Sequence, residues 1–214
     1  MVHPTQKTSF IGPAGVLEAL LDAPVLPVGA AQRGVAFIAH PHPLFGGTME
    51  NKVAQTLARA YAQSGWLAVR FNFRGVGGSA GAYDAGQGEL QDLLAAVQHF
   101  APEGNFALAG FSFGAFVASQ AVASMSDQRK PHSIVLVGTA AGNFDVATIP
   151  HALHPRALIV HGEVDDTIPL SAVLDWARPQ NLPIMVMPGV GHFFHGQLLL
   201  LRSIVMRHIH SVNH

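Results

Sequence analysis

The chain of 214 residues contains no cysteine, and only 12% of its residues are charged. The missing cysteine excludes disulfides, thiolate metal centres and a cysteine nucleophile. With 12 Lys and Arg against 13 Asp and Glu the formal charge is −1, so no basic surface is on offer to nucleic acid or to an acidic membrane. No run approaches the roughly 20 apolar residues of a membrane span. The start, Met1 to Lys7, lacks the basic segment and apolar run of a secretory signal, so a cytoplasmic protein is expected. The charged share is about half that of an average soluble domain. Such scarcity points to a large core covered on two sides, and it also leaves room for a homodimer.

Thirteen histidines raise the question of metal, but none stands in an H-E-x-x-H run. His208 and His210 are two apart, which puts them on different faces of a helix. Neither a metal nor a cofactor is expected.

What is abundant is short apolar runs. Lys7–Ile11 and Val16–Leu21 flank Gly12-Pro13-Ala14-Gly15 and predict an antiparallel hairpin. Strands are then expected at Val35–Ala39, Leu67–Phe73, Phe106–Ala109, Ile134–Val137, Ala157–Val160 and Ile184–Met187. Helices are expected over Asn51–Gln63, Gly88–Phe100, Phe113–Met125, Ser171–Ala177 and Gly196–His210. Strands that are apolar throughout, alternating with amphipathic helices, imply a mostly parallel eight-stranded α/β sheet with helices on both faces. No linker or repeat divides residues 1–214, so one domain is expected.

Two segments fit G-x-S-x-G: Gly77 to Gly81 around Ser79, and Gly110 to Gly114 around Ser112. A nucleophile elbow needs a strand, a tight turn and a helix in succession. Only Ser112 has that context, between Phe106–Ala109 and Ala115–Ser119. Ser79 leads into Ala82-Tyr83-Asp84-Ala85-Gly86 and reads as a loop serine. A serine needs a base, and a base needs an orienting acid. The segments His161 to Pro169 and Pro188 to Gly196 supply them in the order acid, then histidine. Asp165 is the expected acid, with Asp166 a turn residue and Asp145 a distant alternative. His192 is the expected base, with His195 at the rim and His161 buried within its own loop. The helix starting at Phe113 aims its N–H groups and positive dipole end at the site. The oxyanion hole should take one donor from Phe113 N–H. The second should come from the loop His40-Pro41-His42-Pro43-Leu44-Phe45-Gly46-Gly47. Pro41 and Pro43 have no N–H, which leaves Leu44 or His42, with Leu44 favoured. Phe45, Phe111, Phe113, Phe193 and Phe194 lie in these loops, where they either line an apolar acyl pocket or belong to the core.

Gly110 to Gly114, His161 to Pro169 and Gly191-His192 together resemble the α/β-hydrolase superfamily. His40 to Met49, Asn51-Lys52-Val53, Phe71 to Gly77 and Gly191 to Gly196 extend this to a closer similarity. It is with small bacterial hydrolases related to the dienelactone hydrolases, over about residues 7 to 205. The resemblance implies an α/β-hydrolase fold and a serine hydrolase with esterase-like activity. Dienelactone hydrolase chemistry itself uses a cysteine, which this chain lacks. The expected function is cleavage of carboxylic esters of small or short-chain acyl substrates through an acyl-enzyme on Ser112. Thr139 to Pro150 is too short for a large lid, which favours small soluble substrates. A thioesterase or peptidase of the same fold is the second reading, and a non-catalytic binding protein the third.

Overall fold

The computed structural model describes residues 4–212. Eight strands form one sheet: β1 (Thr5–Gly12), β2 (Gly15–Asp22), β3 (Val35–Ala39), β4 (Leu67–Phe71), β5 (Phe106–Phe111), β6 (Ile134–Val137), β7 (Ala157–Gly162) and β8 (Ile184–Met187). The five α-helices are α1 (Lys52–Gln63), α2 (Gln87–Phe100), α3 (Phe113–Ser124), α4 (Leu170–Ala177) and α5 (Leu198–Ser211). The spatial order is β1-β2-β4-β3-β5-β6-β7-β8. β1 and β2 pair antiparallel across a turn in which Gly12 faces Gly15, β2 joins β4 antiparallel, and every later pair is parallel.

The central strands are apolar throughout because both faces are covered. β3, β5 and β6 are buried at every position. On one face, Leu93 and Val97 of α2, Val117 and Val122 of α3 and Val173 of α4 pack with Phe37, Leu108 and Leu136 of the sheet. On the other, Val53 and Leu57 of α1 and Leu201 and Val205 of α5 pack with Ile38, Ala109 and Val135. Successive side chains of one strand therefore enter different cores, as the alternation of a pleated strand requires. The low charge content has its physical reason here: two cores leave little surface to be charged.

β4 ends at Phe71, two residues before the expected limit. Asn72 N–H still bonds to Glu18 O of β2, but Phe73 N–H goes to the His40 ring just past the end of β3, so the chain leaves the ladder there. The segment between β6 and β7 holds only a short 3₁₀ stretch, 151–156, and no lid. Among the described residues no helix is long and apolar enough to cross a membrane.

Candidate active site

Parallel order places the carboxyl ends of β3, β5, β6, β7 and β8 along one edge of the sheet, and the loops that follow them converge there. β5 runs directly into α3 through Ser112. The serine has φ 55° and ψ −116°, a left-handed conformation that a side chain adopts only under constraint. The constraint is visible. Ser112 N–H is held by Val137 O at 2.9 Å, and its own carbonyl accepts the Ala115 and Phe116 N–H groups of the first helical turn. Glycine is required on both sides of it. A Cβ on Gly110 would collide with Gly114 O, and a Cβ on Gly114 with Ala39 O. The close approach of α3 to the end of β3 brings residues 39 to 42 beside the serine.

Asp165 and His192 come from loops stitched to each other. Glu163 N–H bonds to Met187 O, Val164 N–H to Val190 O, and Gly189 N–H to the Glu163 carboxylate at 2.8 Å. That lattice sets the register of one loop on the other. The result is a hydrogen-bonded line: Ser112 Oγ lies 3.1 Å from His192 Nε2, and His192 Nδ1 lies 2.7 Å from Asp165 Oδ2. The other Asp165 oxygen accepts Thr167 N–H at 3.0 Å and Ile168 N–H at 2.7 Å. Burial pushes the Asp165 carboxyl up, but the bonds from His192 and Ile168 outweigh it and hold the group below its ordinary value. An ionised Asp165 accepts the Nδ1 proton of His192, which leaves Nε2 bare toward Ser112. Gly138, at φ 54°, backs the imidazole: a Cβ there would stand 3.3 Å from His192 Cε1 and 3.4 Å from Nδ1. Phe111 lies against the same ring, with centroids 4.9 Å apart.

The other candidates fall elsewhere. Asp166 is exposed and accepts from Thr167 Oγ1, while Asp145 engages Gln120 through its backbone carbonyl. His195 is exposed beside Phe193. Ser79 is buried and structural, donating to Asn72 O at 2.8 Å and accepting Glu18 N–H at 3.0 Å. Of the five phenylalanines, Phe111, Phe113 and Phe194 are core residues. Phe45 (86% exposed) and Phe193 (47% exposed) stand at the rim.

The loop after β3 departs from expectation at Leu44. Its N–H is already accepted by His42 Nδ1 at 3.2 Å, at the start of a 3₁₀ turn over Pro43–Phe45. Among the described residues neither His42 N–H nor Phe113 N–H has an acceptor. The His42 ring lies on Phe113 (5.0 Å) and contacts Tyr83 Oη through Nε2 at 3.2 Å. With Nδ1 accepting, the proton sits on Nε2 and is donated to Tyr83. Burial pushes the His42 pKa down and favours this neutral form.

His40, which the sequence reading passed over, anchors the loop. Its ring is buried, with Nδ1–H donating to Pro41 O at 2.6 Å and Nε2 accepting Phe73 N–H at 3.0 Å. The prolines on either side of His42 were the visible signal of a rigid loop, but they say nothing of what bolts it down.

The site is shallow. Ser112 keeps 8% of its surface exposed. Cavities of about 580, 340 and 450 Å³ lie along β1, β2, β4, α1 and α5, and none is lined by Ser112, Asp165 or His192. The largest of the three gathers Lys7, Arg59, Arg202 and the buried Arg70–Asp22 pair (2.7 Å).

Residues 20–148 match the family model of the X-Pro dipeptidyl-peptidases (S15 family), a span that includes Ser112 and the β3 loop. The solved structure of XC6422 from Xanthomonas campestris, an α/β serine hydrolase without a lid, is 34% identical. The alignment covers 99% of this chain and 96% of that one, with a TM-score of 0.86. An α/β serine hydrolase homologue from Coxiella burnetii is 37% identical over 97% of this chain and 98% of its own, with a TM-score of 0.80. The esterase Pf2001 of Pyrococcus furiosus shares the fold, at 14% identity and a TM-score of 0.73 over 98% of this chain and 93% of that one. A curated protein of Rickettsia prowazekii, RP471, is 38% identical over 117 residues. That match takes in 53% of this chain and about half (48%) of the relative.

Proposed function

This chain belongs to the X-Pro dipeptidyl-peptidase (S15) family of α/β serine hydrolases, and from that premise we propose that it cleaves carboxylic esters of small or short-chain acyl groups. The observation that carries the reading is the line Ser112–His192–Asp165, at 3.1 and 2.7 Å, with no lid inserted between β6 and β7. Ser112 Oγ attacks the acyl carbonyl as its proton passes to His192 Nε2. Asp165 holds the imidazole and stabilises the cation that forms. The tetrahedral oxyanion is met by Phe113 N–H and by His42 N–H, which replaces Leu44 as the second donor because the Leu44 proton is engaged. His192 then protonates the leaving alcohol. Water repeats the sequence on the acyl-serine and releases the acid. Removal of one oxyanion donor costs such enzymes roughly 10²–10³ in turnover.

An ester is preferred to a peptide on a specific ground. A dipeptidyl-peptidase must anchor the protonated amino terminus of its substrate. The carboxylate in electrostatic reach of His42 and Tyr83 is Glu89, which is fully buried and accepts Asp84 N–H (2.9 Å) and Gly86 N–H (2.7 Å), so it is not on offer to a substrate amine. The exposed Leu44, Phe45 and Phe193 at the rim suit an apolar acyl or alkoxy group.

The test is hydrolysis of p-nitrophenyl esters from acetyl to palmitoyl by wild type and Ser112→Ala. Turnover of the short esters, lost by roughly 10³-fold or more in the variant, is expected. Turnover retained in Ser112→Ala overturns the mechanism. An inactive but folded wild type that cleaves Ala-Pro-p-nitroanilide returns the protein to peptidase chemistry.

A further inference from the structure

Asp165 has two histidines beside it. His161 closes β7 one residue before its end, with its side chain fully buried. Its Nε2 lies 2.9 Å from Ile168 O and 3.4 Å from Asp165 Oδ2, the same oxygen that binds His192. A carbonyl oxygen only accepts, so Nε2 carries the proton. The neutral ring then has a bare Nδ1, and that atom is buried with no partner among the described residues. Burial pushes the His161 pKa down, which keeps the ring neutral.

Packing alone gives no reason for histidine here. An apolar side chain of similar volume would fill the space without burying an unmatched nitrogen. What only the imidazole supplies is an Nε2–H bonded to Ile168 O with Asp165 Oδ2 3.4 Å away. We propose that His161 is a positioning residue whose Nε2–H, shared between Ile168 O and Asp165 Oδ2, sets how strongly Asp165 grips His192. The inference rests on the Ser112 hydrolase reading.

The route from His161 to His192 is electrostatic: a second donor on Oδ2 draws off part of the negative charge that His192 Nδ1–H faces. The ionisable groups acting on His161 are Asp165 and His192, and those acting on Asp165 are His192 and His161. Ser112 and the rings of Phe111 and Phe193 complete the surroundings of the His192 imidazole. Removing the second donor leaves the carboxylate more negative toward His192, so the imidazolium is favoured and its titration moves to higher pH.

Three variants separate this from a packing role. His161→Leu deletes the donor. His161→Asn places its amide near the ring's Nδ1 position, away from Asp165. His161→Gln reaches the Nε2 position and restores a donor. The primary readout is NMR titration of the His192 ring without substrate, followed by kcat/KM against pH on p-nitrophenyl acetate. We expect the Leu and Asn variants to titrate His192 higher by about half a pH unit. The acid limb of kcat/KM should move with it and neutral activity fall by up to about threefold, while Gln returns both toward wild type. An unmoved titration overturns the proposal. So does a downward shift, which a loosened Asp165 would give, and so does Gln behaving like Leu. Should Leu fail to fold, Asn against Gln decides. The NMR arm needs no turnover, so an inactive wild type with the expected shift would refute the esterase reading and leave this one standing.

Discussion

The His40 ring couples the stability of the site to pH, and the size of the effect follows from its two hydrogen bonds. Burial lowers its pKa from 6.5 to about 4, against the opposing bond to Pro41 O. Protonation would put a hydrogen on Nε2, where Phe73 N–H already points. Between pH 6.5 and 4 the unfolded chain therefore binds a proton that the folded one refuses. The stability is fully present above the unfolded value and is lost as pH falls through that window, at up to about 1.4 kcal/mol per unit. From pH 7 to pH 5 the loss from this residue alone is about 2 kcal/mol, and it levels off near 3 kcal/mol below pH 4. Urea unfolding of wild type and His40→Gln at pH 7, 6 and 5 isolates it. The variant starts lower, since glutamine replaces only one of the two bonds, but its stability should fall by about 2 kcal/mol less over the interval. Parallel pH dependences in the two proteins would refute the reasoning.

Three further outcomes follow from contacts already described. Gly114→Ala drives a Cβ into the backbone carbonyls of Ala39 and His40; urea unfolding should show a loss of about 1–3 kcal/mol, with ester turnover falling as Ser112 leaves the β3 loop. Ser79→Ala removes the bonds to Asn72 and Glu18 and should cost about 1–2 kcal/mol in the same assay, yet leave turnover within twofold or so of wild type. Arg70→Met strands the Asp22 carboxylate at the β2–β4 edge, and a loss of about 3–5 kcal/mol is expected, read as a lower urea midpoint.

The strands and helices were legible because each central strand is apolar on both faces and each helix begins or ends at a recognisable signal, as Asn51 does by capping α1 through its side chain. The order of strands was not. That β3 lies between β4 and β5, with β2 reaching β4, depends on crossovers that no local pattern records. The short 3₁₀ turns at 43–45, 127–129, 151–156 and 178–180 were also invisible, being too brief to show a period. At the site, Ser112 was separable from Ser79 by the strand before it and the helix after it, and the structure brings Asp165, not Asp166, to His192. That Leu44 N–H is engaged and His42 N–H is not depends on where one imidazole nitrogen points. The second contact of His161 and the backing of His192 by Gly138 arise from residues distant in sequence, and only the folded chain brings them together.

The central claim is that Ser112 is an activated nucleophile, and covalent capture tests it without knowledge of the substrate. Wild type, Ser112→Ala and His192→Ala are treated with a fluorophosphonate, followed by intact-mass and peptide analysis. The account predicts a single adduct on wild type, located at Ser112, and none on either variant. An unmodified wild type, or an adduct on Ser79 or any other residue, would contradict it.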